Sequence, residues 1–222
     1  RDVKKIAIVV FASNSSLCGG FNVNIIRHLS EMLEEYIRQV GKENILVYPV
    51  GRKVADAVKK LGITPMGDYQ HMSGKPNYKE ASDLAAEGMD RFVSGEIQHV
   101  ELLYNHFKST STQILTRETY LPINLAQTSA EEEQEKGMQA DYIIEPSAEK
   151  VMQELLPKVL RMKMYTVLLD SNAAEHAART MAMQIATDNA NDLIQELTLI
   201  YNKSRQQAIT NELLDIIGGT MA

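Results

Sequence analysis

Two patterns of hydrophobic residues alternate along the first 146 residues of the chain: continuous apolar runs, and apolar residues at helical spacing. Continuous apolar runs at residues 5–11 (KIAIVVF) and 44–50 (NILVYPV) predict strands that are buried on both faces, as in a parallel sheet. Apolar residues then recur at intervals of three and four over residues 23–40, 51–61 and 78–93, which predicts amphipathic helices. This strand–helix alternation predicts an α/β fold with a Rossmann-like, mostly parallel sheet.

The rest of this part has a less regular pattern. Residues 63–76 are rich in Gly, Pro and Ser, so we interpret them as irregular. Strand-like runs at residues 100–107 and 112–122 are close enough in sequence to predict an antiparallel hairpin. The acidic run at residues 131–135 predicts a solvated loop, with contact to a partner as the alternative. Residues 141–145 (DYIIE) predict a last short strand.

A single long helical stretch follows the α/β pattern. Residues 147–217 contain one proline, Pro157, and no glycine. About sixty helical residues beyond Pro157 would extend roughly 90 Å at ~1.5 Å per residue, so we expect the helix to project beyond its domain. Ser147 is the expected N-cap, and Pro157 is expected to kink the helix or mark a restart. The predicted division is therefore an α/β domain at residues 1–146 and a long helix at residues 147–222.

The apolar face of this helix predicts a partner helix. Small and apolar residues recur at spacings of three and four, which is typical of one half of a coiled coil. A helix of this length is stable only if it buries one face, and no other stretch of the sequence is long enough to pair with it. We expect the partner to come from another chain or from residues before Arg1, where the sequence starts without Met. The stripe comprises Ala173, Ala174, Ala177, Ala178, Met181, Ala182, Ile185, Ala186, Asn189, Ala190, Leu193, Leu197 and Ile200.

Composition narrows the class of function. Hydrophobic residues make up 44% of the chain and charged residues 23%, which is ordinary for a soluble globular protein. The net charge of -6 argues against a general nucleic-acid binder, because phosphate binding requires a basic surface. The single cysteine, Cys18, allows no internal disulfide and favours a reducing compartment. No apolar run approaches the ~20 residues that span a bilayer, so we expect neither bilayer insertion nor a signal peptide.

The loop at residues 13–22 is the one candidate for a phosphate or nucleotide site, since it follows a strand and precedes a helix. Its two glycines, Gly19 and Gly20, are adjacent, so it matches neither G-x-G-x-x-G nor G-x-x-x-x-G-K-[ST]. We interpret it as a turn that needs backbone freedom, with Cys18 packed beneath it. The five histidines lack metal-ligand spacing, and no catalytic triad or carboxylate pair is specified. We therefore expect no catalytic, cofactor or metal site.

Three motifs point to a family. Residues 165–183 read YTVLLDSNAAEHAARTMAM, followed by ATDNA at residues 186–190. Residues 199–219 read LIYNKSRQQAITNELLDIIGG, and the loop contains LCGGFN at residues 17–22. Together with the order of elements, these motifs resemble the gamma subunit of the F-type ATP synthase over essentially the whole chain. The family's loop usually reads S-D-R-G-L-C-G-G, whereas residues 13–20 read SNSSLCGG, so the contacts of that acid and base are not carried over.

This resemblance implies a rotary function without bond chemistry. In that family, paired terminal helices form an asymmetric shaft that turns inside a ring of alternating catalytic and non-catalytic subunits. The α/β domain lies at the base, against the epsilon subunit and the membrane rotor ring. The implied partners are the alpha and beta subunits of the ATP synthase head, the epsilon subunit and the c-ring, with no cofactor. The family's long N-terminal helix is not in this sequence, and it would be the expected partner helix.

The resemblance also implies which residues meet the partners. Contact with the catalytic subunits is expected from Arg205, Gln206, Thr210 and Glu212, with Arg205 donating charge-assisted hydrogen bonds to a partner carboxylate. The apolar tip of the helix is expected to sit in a hydrophobic bearing. The tip residues are Ile209, Leu213, Leu214, Ile216 and Ile217. The family loop residues are Leu17, Cys18, Gly19, Gly20 and Asn22.

The expected location is peripheral, at the cytoplasmic face of a bacterial inner membrane, with the mitochondrial matrix face as the alternative. Two other functions stay open from the residues alone. The first is a nucleotide-binding or flavodoxin-like domain with a coiled-coil oligomerisation tail, which rests on the strand-loop-helix at residues 13–22. The second is a generic coiled-coil scaffold, which does not explain the specific helix motifs.

Overall fold

Four strands and five α-helices make up the part of the chain that the computed structural model describes, residues 4–123 and 145–220. A short 3-10 turn at Lys42–Asn44 precedes the second strand. In chain order the elements are β1 (Ile6–Phe11), α1 (Phe21–Val40), β2 (Ile45–Val50), α2 (Arg52–Lys60), α3 (Gln70–Gly74), α4 (Tyr78–Val93), β3 (His99–Ser109), β4 (Thr112–Leu121) and α5 (Ala148–Thr220).

In residues 4–123, the predicted elements are found within two residues of their expected bounds, with one omission. The stretch at residues 63–76 is not wholly irregular, because it contains the five-residue helix α3. Five residues are little more than one helical turn, too few to produce a recognisable period of apolar positions. The acidic run at residues 131–135 lies outside the described residues, as does the predicted strand at residues 141–145 apart from Glu145.

The sheet has the strand order β2-β1-β3-β4. β1 runs parallel to β2 and to β3, with Ile6 opposite Ile45 on one side and His99 on the other. β4 pairs antiparallel with β3, which confirms the predicted hairpin. All six residues of β1 are buried, because β1 is central and covered on both faces. The predicted α/β fold with a mostly parallel sheet is confirmed.

The two faces of the sheet pack into separate hydrophobic cores. Side chains alternate along a strand, so successive residues of β1 enter different cores. Ile6, Ile8 and Val10 pack with residues of α1 and α2. Ala7, Val9 and Phe11 pack with residues of α4 and with the N-terminal half of α5. The long helix is therefore part of the core of the α/β unit.

Helix α5 is a single helix of 73 residues. Ser147 caps it, with Oγ accepting a hydrogen bond from the Lys150 backbone N–H at 3.3 Å. The expectation that Pro157 marks a restart is wrong, since the helix runs continuously through it. Pro157 leaves the carbonyl of Gln153 without its helical donor, and the chain is exposed there, so water can take the place of that donor.

The chain divides by its contacts into two units, Arg1–Thr180 and Met181–Ala222. The first unit contains the sheet, α1 to α4 and the first 33 residues of α5. Its part of α5 contributes the buried residues Leu160, Met164, Val167, Leu168, Ser171, Ala174, Glu175 and Ala177. The compact unit extends to Thr180, and the division predicted at residue 146 stays a prediction.

Candidate functional site

The loop between β1 and α1 is closed by its own side chains. The backbone N–H of Ser13 donates to Oδ1 of Asn22 at 3.1 Å, and Nδ2 of Asn22 donates to Oγ of Ser13 at 2.7 Å. Nδ2 of Asn22 also donates to the carbonyl of Ser15 at 3.1 Å. Cys18 is 1% exposed, so it is packed beneath the loop as the turn interpretation predicts. Because the polar groups of Asn22 and Ser13 pair with the loop itself, the loop offers little support for the alternative nucleotide-binding function.

Arg179 of α5 holds this loop from the helix side. Its Nη1 donates to the carbonyl of Ser16 at 2.6 Å, and its Nη2 donates to Oγ of Ser15 at 2.8 Å. Nη2 also lies 2.6 Å from Oε1 of Glu175, one helical turn earlier. We call this set of contacts between Arg179, Glu175 and the two serines the loop–helix clasp. Sequence reasoning missed it because Arg179 and the two serines lie more than 160 positions apart.

A small apolar cluster lies beneath the clasp. Cys18 and Phe21 pack against Ala174, and Ala178 is packed against the same cluster. The expectation that the whole alanine stripe awaits a partner helix is therefore wrong for its first part. Ala174 and Ala177 are buried within the Arg1–Thr180 unit. Small residues allow close approach of any neighbour, so they can pack against the loop here as well as against a second helix.

Further contacts fix the earlier turns of α5 to the sheet. Oδ1 of Asp170 accepts a hydrogen bond from the Phe107 backbone N–H at 2.9 Å, and Oδ2 lies 2.6 Å from Nδ1 of His106. The Tyr120 hydroxyl donates to the carbonyl of Leu160 at 2.8 Å. These polar contacts lie next to the buried apolar face of the helix. Together with that face, they fix the region from Leu160 to Arg179 to the α/β unit.

The second unit presents a different surface. Within residues 181–220, no side chain is buried, although many are large and apolar. Leu197, for example, is 55% exposed. Large apolar side chains exposed in such number mark a protein interaction site. The exposed apolar residues include Ile185, Leu193, Ile194, Leu197, Leu199, Ile200, Ile209, Leu213, Leu214, Ile216 and Ile217.

The predicted partner-contact and tip residues share one broad arc of the helix in this unit. At about 100° per residue, the four polar contact residues and the five tip residues span an arc of roughly 200°. The later part of the pairing stripe, from Ala186 to Ile200, falls on the opposite arc. All nine contact and tip residues are exposed. The hydroxyl of Thr210 already donates to the carbonyl of Gln206 at 2.9 Å, so it offers a partner mainly an acceptor.

A charged cluster around the buried Glu101 has a structural role in the α/β unit. Nε of Arg117 donates to Oε2 of Glu101 at 2.9 Å, Nη1 to Glu35 at 3.1 Å, and Nη2 to the Tyr36 hydroxyl at 2.6 Å. Burial alone would raise the pKa of Glu101, but hydrogen bonds from His99, Arg117 and Tyr36 outweigh burial and lower it. Burial raises the pKa of Tyr36 to about 12. These groups pair with one another and so tie α1, β3 and β4 together.

The described residues contain neither a metal-binding cluster nor a membrane-spanning helix. Across residues 4–123 and 145–220, no group of three or more His, Cys, Asp or Glu side chains is arranged to hold a metal ion. In the same ranges, no helix is both long enough and apolar enough to cross a membrane.

The α/β unit packs around the start of one long helix, and the later part of that helix is apolar and exposed. These two features define a class of protein-binding subunit. The ATP synthase family model matches residues 1–222. The chain is 70% identical to the ATP synthase gamma chain of Phocaeicola vulgatus and 58% identical to that of Bacteroides fragilis. Both alignments cover 100% of this chain and 76% of the relative. The chain belongs to the ATP synthase gamma chain family.

Solved structures agree in fold. The mitochondrial ATP synthase of Euglena gracilis contains a chain that matches with a TM-score of 0.61 at 22% identity, over 99% of this chain and 73% of that one. A central-stalk structure from Tetrahymena thermophila matches with a TM-score of 0.56 at 21% identity, over 83% of this chain and 77% of that one. The prediction of a non-catalytic central-stalk subunit is confirmed by the family. Its partners are subunits of a membrane-bound ATP synthase complex.

Proposed function

We propose that this chain transmits torque between proton flow through the c-ring and the catalytic subunits of the ATP synthase. In this proposal, the exposed unit of α5 turns inside a ring of alpha and beta subunits. The α/β unit meets the epsilon subunit and the c-ring. Each orientation of the helix biases a neighbouring catalytic subunit towards one of its conformations, because the contacts differ between orientations.

The observation that carries this proposal is the exposed apolar surface of residues 181–220. A helix that exposes large apolar side chains on several arcs is suited to a surrounding partner surface rather than to water. Two separate arcs support two separate contacts. The arc that contains the stripe residues from Ala186 to Ile200 suits a partner helix, and the arc that contains the predicted contact and tip residues suits the ring.

Individual residues have distinct roles in the proposed contact with the ring. Arg205 donates charge-assisted hydrogen bonds to a carboxylate of a catalytic subunit, and Glu212 accepts from a donor there. Gln206 and Thr210 add neutral hydrogen bonds. The tip residues rest against an apolar bearing at the top of the ring. The tip residues are Ile209, Leu213, Leu214, Ile216 and Ile217.

The proposed location is the cytoplasmic face of a bacterial inner membrane. Relatives at 58–70% identity are bacterial proteins, which supports this location over the mitochondrial matrix. The structures of lower identity come from mitochondrial complexes, one a central stalk with a c-ring and one an F1 assembly with a c-ring.

Reconstitution tests the proposed function. The full-length protein is mixed with alpha and beta subunits, and complex formation is measured by size-exclusion chromatography together with ATP hydrolysis. We expect a stable complex in which hydrolysis depends on the presence of this chain. If no complex forms, the torque-transmitting function is refuted. Reconstitution with the c-ring in vesicles then measures ATP-driven proton pumping, which reports torque transmission directly.

A further inference from the structure

The amino ends of the three parallel strands lie at one edge of the sheet. β1 pairs in register with both β2 and β3 from its first residue, Ile6. The turns that enter the three strands therefore lie side by side. Gln98 ties two of them together, since its Oε1 accepts hydrogen bonds from the backbone N–H groups of Lys4 at 3.0 Å and Lys5 at 2.8 Å.

Two helices end at the same edge. Nζ of Lys42, just before β2, donates to the carbonyl of Leu61 at 3.0 Å, and Leu61 caps the C-terminus of α2. Lys59 and Lys60 are exposed in the last turn of α2. Val93 is the last residue of α4 and precedes the turn into β3. We call this surface the amino edge and define it by residues 4–5, 41–44, 59–62 and 93–98.

The amino edge carries positive charge in an acidic chain. Its segments contain five lysines, whereas the net charge of the whole chain is -6. Its two carboxylates are Glu43 and Glu96, and Glu96 is neutralised by Arg91 at 2.9 Å. In the described part of the chain, none of the five lysines forms an ion pair, so the amino edge favours an anionic partner. The five are Lys4, Lys5, Lys42, Lys59 and Lys60.

Exposed apolar side chains flank these lysines on both faces of the sheet. Leu61 is 42% exposed at the end of α2, which packs on one face. Val93 is 84% exposed at the end of α4, which packs on the other face. A soluble anion would match the lysines but would leave both apolar side chains in water. A lipid bilayer matches both, because its headgroups pair with cations and its acyl boundary accepts apolar groups.

We propose that the amino edge binds the surface of an anionic lipid bilayer, with its lysines at lipid phosphates and Leu61 and Val93 at the acyl boundary. This inference goes beyond the proposed function, which requires contacts with protein subunits alone. It agrees with the membership of the chain in the family of a membrane-bound complex. The acidic remainder of the chain opposes binding only weakly, because charges act over about 8 Å at physiological ionic strength.

Vesicle binding by the full-length protein tests this inference. The protein is sedimented with vesicles of phosphatidylcholine alone, or of phosphatidylcholine and phosphatidylglycerol in equal parts. It should bind the anionic vesicles, and binding should weaken as salt is raised. Lys59→Gln/Lys60→Gln should weaken binding about fivefold for each lysine removed, hence roughly twenty-fivefold for the pair.

A second pair of lysines provides the matched control for charge. Lys75→Gln/Lys79→Gln removes the same charge from exposed positions at the opposite edge of the sheet. Helix α3, which ends just before Lys75, is tied to that edge by Ser73, whose Oγ donates to the carbonyl of Ala12 at 2.8 Å. This control should bind anionic vesicles like the wild type.

The apolar part of the contact has its own test. Val93→Ser should weaken vesicle binding several-fold, and the loss should persist at high salt because it does not depend on charge. Ile114→Ser is the matched control, since it alters an exposed apolar residue of β4 outside the amino edge, and it should bind like the wild type.

Three results would overturn the inference. If the wild type ignores anionic vesicles, the inference fails while the proposed function stands, because reconstitution with alpha and beta subunits tests that function separately. Equal losses in the two double lysine variants would show a general attraction of charge without a defined surface. If Lys59→Gln/Lys60→Gln binds vesicles normally but assembles poorly with the c-ring, the amino edge contacts a protein instead. Thermal unfolding of each variant separates a binding effect from a folding defect.

Discussion

Helix α5 passes through two regions that share one backbone geometry but differ in environment. Between Leu160 and Ala177 it buries eight side chains against the α/β unit. Among residues 181–220 it buries none, although large apolar residues are as frequent there. The difference shows that the length of a helix does not indicate its role. What distinguishes the regions is whether the chain itself supplies the surface that covers the apolar side chains.

This difference has an energetic meaning. Most helical stability in proteins comes from tertiary packing of one face, because isolated helices are marginal in water. The first region has that packing within its own unit. The second region depends on its own backbone hydrogen bonds and on local side-chain contacts such as Gln184 with Asp188 at 3.0 Å.

Hydrogen exchange should separate the two regions most strongly. In the isolated chain, backbone amides of residues 160–177 should exchange at least about a thousandfold more slowly than those of residues 185–217. The first group opens only with the core, whereas the second opens locally. Mass spectrometry of exchanged peptides measures both groups in one sample. Adding alpha and beta subunits should slow the second group. Equal protection in the isolated chain would show that the second region is stable without partners.

Two leucine-to-alanine variants test the same contrast through stability. Leu168 is 2% exposed, so Leu168→Ala should lower the free energy of unfolding by about 2–5 kcal/mol through lost burial and a cavity. Leu197→Ala, a matched change in the exposed region, should alter it by less than about 0.5 kcal/mol. Urea unfolding measures both. In the complex the order should reverse, with Leu197→Ala weakening assembly. A large effect of Leu197→Ala on the isolated chain would contradict the comparison.

Sequence periodicity predicts well where the helices and strands lie, but it predicts poorly which surfaces they pack against. The buried run of β1 and the long helix were both evident, because each follows from local spacing of apolar residues. The short helix α3 is too brief to show a period. Ala174 and Ala177 fit a stripe for a partner helix, yet they pack within their own unit. Small residues at helical spacing give the same pattern for either neighbour.

The clasp shows the same limit for polar contacts. Arg179 belongs to the motif at residues 165–183, but no local pattern links it to a serine loop more than 160 positions earlier. Asn22 was evident as part of a motif, but its closure of the loop depends on folding. The predicted contacts at residues 205–217 stay predictions, because their partners belong to other chains.

The Arg205→Ala variant tests the proposed contact in the exposed region. Loss of a charge-assisted hydrogen bond should lower coupled ATP-driven proton pumping by about tenfold. The stability of the isolated chain should not change, because Arg205 is exposed. Gln207→Ala serves as the control, since it alters an adjacent residue on the opposite arc, and it should leave pumping intact. Unchanged pumping in Arg205→Ala would remove Arg205 from the contact.

The smallest expected effect is a pH dependence confined to the first region. The pKa of Glu101 is lowered in the folded chain, so its charge stabilises the fold above the unfolded pKa of about 4.3. That contribution is lost as pH falls through the lower, folded pKa, and each unit of lowering corresponds to about 1.4 kcal/mol. Glu101→Gln should therefore be less stable than the wild type at pH 6, and the gap should narrow towards pH 3.

Urea unfolding at each pH measures this gap. Asp188→Asn is the matched control, because Asp188 is exposed in the second region and its charge is not tied to the core. Its stability should follow the wild type at every pH. A constant gap between Glu101→Gln and the wild type would show that the cluster around Arg117 stabilises the fold by packing alone. A narrowing gap for Asp188→Asn as well would show that charge in the exposed region is linked to folding, against the comparison drawn between the two halves of α5.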